Sequence, residues 1–306
     1  MSDIDDYVRA ATRDNTRRSY RSAIDHYELA WDGLLPATPD NIARYLAAFA
    51  GDLAVSTLQH RLAALSGWHV EHGFADPTKA PLVRKVMRGI RQVHPHRQKQ
   101  ARPVQIALLE RLDTYLSAEA QKPEMPVRQL RAKRDKALVL LGFWRAFRSD
   151  ELCRLQVTDI VLAPDRGLEI FLPASKADRS GHGHVFKCPA LGRLCPVQAY
   201  TDWIESAHLT DGPVFRRIDR WGRIGSGGLH PNSVVPLLRN LVRQAGAEDH
   251  DHYSSHSLRR GFASWANDDG WDVKSLMEYV GWRDMKSALR YIDSLDPFQR
   301  ARNRGA

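Results

Sequence analysis

Hydrophobic periodicity changes once along this chain, near residue 93, and this change constrains the fold more than any other feature. From residue 14 to residue 93, apolar side chains recur at helical spacing, which predicts four helices. The first apolar stripe is formed by Tyr20, Ile24, Tyr27 and Trp31. Farther along, helical spacing alternates with short β-type runs. Because 306 residues are enough for two hydrophobic cores, we expect two domains.

Capping residues and prolines mark the limits of the N-terminal helices. The cluster Asp14-Asn15-Thr16 precedes the first helix, and Thr38-Pro39-Asp40 supplies an N-cap followed by proline at the first helical position. The stretch 93–103 holds two prolines and many polar residues without apolar periodicity, which is typical of a linker. The sequence therefore predicts an all-α domain over residues 1–93 and a linker over residues 94–104.

The second half of the chain combines helices with a small sheet. Helical patterns lie near 105–118, 129–146, 195–207, 232–245, 256–267, 272–280 and 285–295. Short β-type runs separated by polar turns lie at 157–162, 168–173 and 184–189. The predicted fold class is mainly α with a small antiparallel β-sheet, and the sheet belongs to a second domain over residues 105–306. No Rossmann or P-loop glycine pattern follows a strand.

The charge of the chain indicates a polyanionic partner. It has 45 Lys and Arg residues against 36 Asp and Glu residues, a formal net charge of +9. Pro77 to Leu109 contain no acidic residue, and the basic residues there are Lys79, Arg84, Lys85, Arg88, Arg91, Arg97, Lys99 and Arg102. A solvated surface is the alternative interpretation of such a run. Eight cations without an anion favour nucleic acid or an anionic membrane surface instead.

The sequence predicts neither export nor membrane insertion. No apolar run approaches the ~20 residues that span a bilayer. The acidic start Met1-Ser2-Asp3-Ile4-Asp5-Asp6 is the opposite of a positively charged signal-peptide region. The three cysteines, Cys153, Cys188 and Cys195, form no CxxC pair. We therefore expect a reducing compartment, the cytoplasm.

Four segments of the second domain carry charged and aromatic residues in a recognisable order. They are Phe147-Arg148-Ser149-Asp150-Glu151-Leu152, Ala174-Ser175-Lys176-Ala177, His256-Ser257-Leu258-Arg259-Arg260-Gly261, and Gly281-Trp282 followed by Arg290-Tyr291-Ile292. This ordered set resembles the tyrosine recombinases, or phage integrase family. The resemblance extends to residues 53–62, which look like the core-binding domain of that family, so it covers nearly the whole chain.

The resemblance implies a fold, an activity and partners. The fold would be an all-α N-terminal core-binding domain of the SAM-like type, followed by an integrase-type catalytic domain with a C-terminal tail. The activity would be site-specific DNA recombination, in which duplex DNA is cleaved and rejoined through a 3′-phosphotyrosyl intermediate without a metal, ATP or any other cofactor. The partners would be double-stranded DNA with paired inverted half-sites and other copies of the chain, as a homotetramer on DNA in the nucleoid, with no membrane.

The resemblance also assigns catalytic roles. Tyr291 would be the nucleophile, and Arg148 and Arg259 would clamp the phosphate, with Glu151 supporting Arg148. Lys176 would be the general acid for the leaving 5′ hydroxyl, and His256 the general base or a phosphate donor. Trp282 stands where much of the family has histidine. Since indole cannot shuttle protons, its role would be orientation and packing.

Elementary chemistry is consistent with these roles. A phenol has a pKa of about 10, so it can attack a phosphodiester when nearby cations offset that value. Arginine matches a phosphate with two parallel N–H donors and stays charged at any working pH. Because His256 and Arg259 are three residues apart on a predicted helix, their side chains share one face and can converge on one phosphate.

The DNA-binding candidates are basic or imidazole side chains of the N-terminal helices and the linker. They are Arg17, Arg18, Arg21, His60, Arg61, Arg84, Lys85, Arg88, Arg91 and Lys99.

Other interpretations remain open at this stage. His250, His252 and His256 could form a metal site and thus a metal-dependent nuclease. A non-catalytic DNA-binding protein on a recombinase scaffold and a type IB topoisomerase-like relaxase are further alternatives. Taken singly, Arg148 with Glu151 could be a surface ion pair, and Tyr291 could be a core aromatic residue.

Overall fold

The computed structural model of this chain describes residues 7, 12, 14–95, 100–163, 167–173, 183–289 and 291. The chain divides into two compact units, Met1–Lys99 and Gln100–Ala306. This division lies within the segment that the sequence predicts as a linker. The predicted fold class, mainly α with small antiparallel sheet structure, is confirmed.

The described part of the N-terminal unit is helical. Its α-helices are α1 (Asp14–Asp25), α2 (Pro39–Ala48), α3 (Val55–Glu71) and α4 (Pro81–Val93). A π-helical turn, His26–Ala30, extends α1, and Thr38 caps α2 by accepting a hydrogen bond from the backbone N–H of Asn41 at 3.2 Å. Tyr27, Tyr45 and Leu58 are fully buried between the helices, so the predicted apolar stripes do form one core.

The second unit is built around one buried helix. Its helices are α5 (Ile106–Ala120), α6 (Pro126–Trp144), α7 (Ser149–Arg154), α8 (Pro196–Ser206), α9 (Pro231–Gln244), α10 (Ser257–Asp268), α11 (Val273–Val280) and α12 (Met285–Leu289). Residues 137–143 of α6 are all buried, because α5, α8 and α10 pack around this helix. A helical segment that is apolar on all sides, like the C-terminal half of α6, forms the centre of a domain core. Of the helix predicted at 285–295, α12 covers Met285–Leu289, and residues 290 and 292–295 lie outside the described part.

A three-stranded antiparallel sheet lies in the second unit. Its strands are β1 (Ile160–Ala163), β2 (Gly167–Leu172) and β3 (His184–Pro189), in the order β1-β2-β3. In β2, alternate residues Leu168, Ile170 and Leu172 are buried, as a half-buried strand requires. The β-type run predicted at 157–162 begins three residues before β1, because Val157–Asp159 form a 3₁₀ turn.

A second sheet was not predicted from the sequence. It is the hairpin of β4 (Arg216–Ile218) and β5 (Ile224–Gly228). These strands consist mainly of arginine and glycine. They hold few of the β-branched and aromatic residues by which strands are recognised in a sequence.

The end of the predicted linker belongs to the second unit. Arg102 donates its backbone N–H to His252 O at 3.0 Å, and Val104 donates its own to Ser257 O at 3.0 Å. Val104 is fully buried. The segment 102–104 passes so close to α10 that a Cβ on Gly261 would lie 2.0 Å from Val104 O. Glycine at 261 therefore allows the helix of His256 and Arg259 to dock.

No helix in the described part of the chain combines the length and the apolar character that a membrane span needs.

The contact at Gly261 gives a prediction about stability. We expect Gly261→Ala to lower the free energy of unfolding by about 3 kcal/mol or more, since a Cβ in that position overlaps backbone that cannot move aside freely. Gly89→Ala is the matched control in another helix: nothing lies within 4 Å of its Cβ, so alanine should stabilise α4 by about 0.5–1 kcal/mol. Urea unfolding measures both. A Gly261→Ala protein as stable as the wild type would contradict the close approach.

Candidate active site

The N-terminus of α7 fixes Arg148. Glu151 is the third residue of that helix, and its carboxylate accepts a hydrogen bond from the backbone N–H of Arg148 at 2.7 Å and another from Arg148 Nη1 at 2.6 Å. Glu151 is 4% exposed, and the helix N-terminus favours its negative charge. The predicted pairing of Arg148 with Glu151 is therefore present, but it is partly buried and not a surface pair.

The same carboxylate lies beside a second arginine. Arg259 is 1% exposed, and its Nη1 lies 3.6 Å from Glu151 Oε2. Arg259 Nη1 also donates to Ala146 O at 2.8 Å. Ala146 adopts the left-handed conformation with φ 50°, which is uncommon for a residue with a side chain and turns the backbone between α6 and α7. One anion thus serves two cations, so the site keeps a positive charge.

Burial changes the acidity of Arg259. Loss of water, together with repulsion by Arg148, lowers the pKa of Arg259 to about 10, although Glu151 and Tyr291 act in the opposite direction. The guanidinium therefore stays protonated at neutral pH. Among the described residues, nothing accepts a hydrogen bond from its buried Nε and Nη2. A buried donor without an acceptor is costly, which favours an anionic ligand at this place.

Tyr291 and His256 meet directly. The phenol oxygen of Tyr291 lies 3.0 Å from His256 Nδ1. In the tautomer that carries its proton on Nε2, Nδ1 accepts the hydrogen bond of the phenol. Arg259 Cζ lies 5.7 Å from the centre of the Tyr291 ring, so α10 brings both Arg259 and its N-cap residue His256 to this tyrosine, as their spacing predicts.

Trp282 packs against both the tyrosine and the arginine. Its ring stacks on Tyr291 with centroids 5.2 Å apart and planes 26° apart, and Arg259 Cζ lies 5.2 Å from its ring centre. Gly281 precedes it in the left-handed conformation that ends α11. Trp282 Nε1 is buried, and within the described part of the chain it has no hydrogen bond partner. We call Arg259 Nε, Arg259 Nη2 and Trp282 Nε1 the open donors.

Two predicted residues cannot be placed. Lys176 and Lys99 lie outside the described residues. The arginines, the histidine, the tryptophan and the tyrosine of the predicted catalytic set come together around the open donors.

The metal-site alternative gains no support from the described residues. His250 and His252 lie in a 3₁₀ turn, while His256 is bonded to Tyr291. No group of three His, Cys, Asp or Glu side chains in the described ranges is arranged to hold a metal ion. Burial raises the pKa of the Cys153 and Cys188 thiols to about 12, so neither is an activated nucleophile.

Sequence reasoning missed Arg145. This residue follows α6, is 2% exposed and donates to backbone carbonyls of β3 and α11. A charged residue inside an otherwise apolar run, Gly142-Phe143-Trp144-Arg145-Ala146-Phe147, is the signal that could have found it, because a cation in such a run becomes buried and needs partners.

The predicted DNA-binding residues form one surface only in part. Arg84, Arg88 and Arg91 line a groove of about 350 Å³ beside α3, together with Gln59 and Thr78. Lys85 and Arg21 are exposed. The remaining candidates have partners within their own unit: Arg17 with Asp14, Arg18 with Asn15, His60 with Ser19, and Arg61 with Tyr45.

Comparison with known proteins gives one family. The model of the phage integrase family matches residues 114–297. An integrase/recombinase xerD homolog of Selenomonas ruminantium is 34% identical over 270 residues, which is 87% of this chain and 76% of that protein. Recombinase cre of Escherichia phage P1 is 26% identical over 274 residues, 85% of this chain and 77% of that protein.

Solved structures share the fold. The Tn1549 transposon integrase, in complex with circular intermediate DNA, matches with a TM-score of 0.64 at 16% identity, over 98% of this chain and 96% of that one. A lambda integrase dimer bound to a core site matches with a TM-score of 0.57 at 15% identity, over 96% of this chain and 95% of that one.

The shared carboxylate gives a prediction. We expect Glu151→Gln to lower the free energy of unfolding by about 2 kcal/mol or more, because an amide can still accept a hydrogen bond but leaves two partly or fully buried guanidinium groups without a counter-charge. Glu278→Gln is the matched control, since Glu278 pairs with Lys274 at 4.0 Å on the surface and its loss should cost under ~0.5 kcal/mol. Thermal unfolding compares the two, and equal small effects would contradict the role of Glu151.

Proposed function

The chain belongs to the phage integrase family of tyrosine recombinases, and we propose that Tyr291 is the nucleophile with which it cleaves and rejoins duplex DNA. The observation that carries this proposal is the set of open donors beside the phenol of Tyr291. Arg259 and Trp282 both contact the Tyr291 ring, and both have buried N–H groups for which the described residues supply no acceptor. A phosphodiester placed there would satisfy these donors and meet the nucleophile at once.

The reaction is a transfer of the phosphoryl group. The Tyr291 oxygen forms a bond to phosphorus, the bond from phosphorus to the 5′ oxygen breaks, and the product is a 3′-phosphotyrosyl linkage with a free 5′ hydroxyl. His256 Nδ1 accepts the phenol proton, and Lys176, by its place in the family motif, supplies a proton to the leaving oxygen. Attack by a 5′ hydroxyl reverses these steps. Because the phosphotyrosyl bond keeps the energy of the cleaved bond, rejoining needs no ATP.

Each fixed group has a role in this proposal. Arg148 and Arg259 neutralise the charge that develops on the non-bridging oxygens, and Glu151 keeps both guanidinium groups oriented. Trp282 donates one hydrogen bond to the phosphate and holds the Tyr291 ring by stacking. It transfers no proton, because the indole N–H remains bound throughout.

Two basic surfaces support duplex DNA as the substrate. The first is the groove of Arg84, Arg88 and Arg91 in the N-terminal unit. The second is the β4–β5 hairpin, which exposes Arg217, Arg220 and Arg223 and a tryptophan, Trp221, that is 65% exposed with Arg220 stacked over its ring at 4.0 Å. Exposed arginines with an aromatic ring suit phosphates and bases.

We also propose an assembly. Exchange of strands joins two duplexes, and each duplex offers two half-sites in inverted orientation, so four copies of the chain on DNA account for the four cleavages. The DNA complexes of the Tn1549 and lambda integrases support DNA as the partner.

Tyr291→Phe tests the nucleophile. The substitution removes one oxygen and almost no volume, so the affinity for DNA should stay within about twofold while covalent adduct formation stops. The substrate is a cognate duplex nicked next to the scissile phosphate, from which a short fragment diffuses away and traps the adduct. The measurement is the fraction of SDS-resistant protein–DNA complex, with excess EDTA present.

Three outcomes would change the assignment. An adduct formed by the Tyr291→Phe protein would show that another tyrosine is the nucleophile. Loss of the wild-type adduct in EDTA, with recovery on adding zinc or magnesium, would favour a metal nuclease. Adduct formation that relaxes supercoiled DNA but never exchanges strands between two duplexes would favour a topoisomerase.

Salt dependence tests the groove. Replacing Arg84, Lys85 and Arg88 by alanine should weaken duplex binding and flatten the plot of log K against log salt by about one unit or more, since each neutralised phosphate contributes about 0.9. The matched control replaces Arg44, Arg193 and Lys274, exposed cations that already pair with acidic residues. A slope that changes equally in both proteins would show that the groove does not bind phosphate.

A further inference from the structure

Arg145 is a buried cation that ties together three segments around the candidate active site. It is 2% exposed and follows the last residue of α6. Its Nη1 donates to Lys187 O in β3 at 3.1 Å, and its Nη2 donates to Tyr279 O in α11 at 2.6 Å. One planar guanidinium therefore holds the turn before α7, the strand β3 and the helix α11 in one arrangement.

Aromatic rings, not an acidic group, surround this guanidinium. Arg145 Cζ lies 3.9 Å from the ring centre of Tyr279 and 4.9 Å from that of Phe186. Tyr279 also donates its hydroxyl hydrogen to Trp144 O at 2.8 Å. Thus α11 and the end of α6 each donate a hydrogen bond to the other. In the described ranges, no carboxylate forms an ion pair with Arg145. Carbonyl oxygens and ring faces are what stabilise the buried charge.

These contacts lead directly to the residues around Tyr291. Tyr279 lies three positions before Trp282, and between them Gly281 ends α11 in the left-handed conformation. A Cβ on Gly281 would lie 3.5 Å from the Phe186 ring, so the ring cage of Arg145 also packs against this turn. On the other side of Arg145, the carbonyl of Ala146 accepts the hydrogen bond from Arg259.

We propose that Arg145 is a positioning residue, which holds Trp282, and through it the ring of Tyr291, in register with Arg259. Its two hydrogen bonds fix the distance between α11 and the turn that carries Ala146. Trp282 and Arg259 depend on these two segments for their places. In the described part of the chain, Arg145 makes no hydrogen bond or ring contact with Tyr291, Trp282 or Arg259. It therefore acts on them through α11 and the turn at Ala146, and through the repulsion between its charge and that of Arg259. This role rests on the proposed function.

Two substitutions in the full chain test the proposal. Arg145→Met keeps the length and fills the aromatic cage, but leaves both carbonyls without a donor, whereas Arg145→Lys keeps the charge and can reach one carbonyl. The measurement is the single-turnover rate of covalent adduct formation at saturating nicked duplex. We expect Arg145→Met to be slower by about tenfold or more, because a misplacement of about 1 Å can cost 100-fold. Arg145→Lys should be intermediate, and duplex affinity should stay within about twofold in both.

A matched control separates positioning from general stability. Arg134 is also a buried arginine, 7% exposed, and donates to Arg216 O at 3.1 Å. Its hydrogen bonds and ion pair reach β4 and Asp135 and none of the segments that Arg145 joins. Arg134→Met should lower the thermal unfolding temperature without slowing adduct formation at 25 °C. If both arginine variants lose rate in proportion to their loss of stability, the positioning role is wrong.

A double-mutant cycle tests the route through Trp282. Because Arg145 acts through Trp282, the rate loss of the Arg145→Met, Trp282→Phe protein should be several-fold smaller than the product of the two single losses. A combined loss equal to that product would overturn the route. If Arg145→Met does not fold, Arg145→Lys decides, since a wild-type rate in that protein excludes the role. If the wild-type chain forms no adduct, the proposed function itself is wrong. If the wild-type chain forms the adduct and the Arg145 variants form it at the same rate, only this inference is wrong.

Discussion

The arrangement of the site depends on one buried carboxylate. Glu151 lies at the N-terminus of α7, accepts hydrogen bonds from the backbone and guanidinium of Arg148, and lies 3.6 Å from Arg259 Nη1. Two guanidinium groups could not share this small space in the folded chain without a counter-charge. Because one carboxylate faces two guanidinium groups, these three side chains together carry a net positive charge. They therefore attract an anion, which a neutral ion pair would not do.

Aromatic packing sets the geometry around that charge. Trp282 stacks on Tyr291 and also meets Arg259, so a phenol, a guanidinium and an indole donor share one contact surface. Behind them, Arg145 joins β3 and α11 to the end of α6. Rings and planar guanidinium groups have few accessible rotamers once buried, so the open donors, which have no acceptor among the described residues, are held in fixed positions.

Hydrophobic periodicity predicted most of the helices, because apolar residues at helical spacing lie on one face, and can be buried together, when the segment is a helix. It failed where burial comes from contacts between distant parts of the chain. Val104 is buried against α10, although the residues that precede it in sequence are mostly polar. The β4–β5 hairpin has no alternating apolar pattern, and Arg131 of α6 holds it by donating to Ile218 O and Asp219 O. Neither contact leaves a local signal.

The sequence by itself determined the order and spacing of Arg148, Glu151, Lys176, His256, Arg259, Trp282 and Tyr291, and from these the family resemblance predicts that the side chains share one site. The tertiary structure alone decided how they meet. The sharing of Glu151, the left-handed turn at Ala146 and the buried cation Arg145 all depend on segments 42 to 134 residues apart in the chain reaching the same place. The physical reason is that spacing along a helix places a side chain on one face, whereas burial and the choice of hydrogen bond partner depend on what packs against that face.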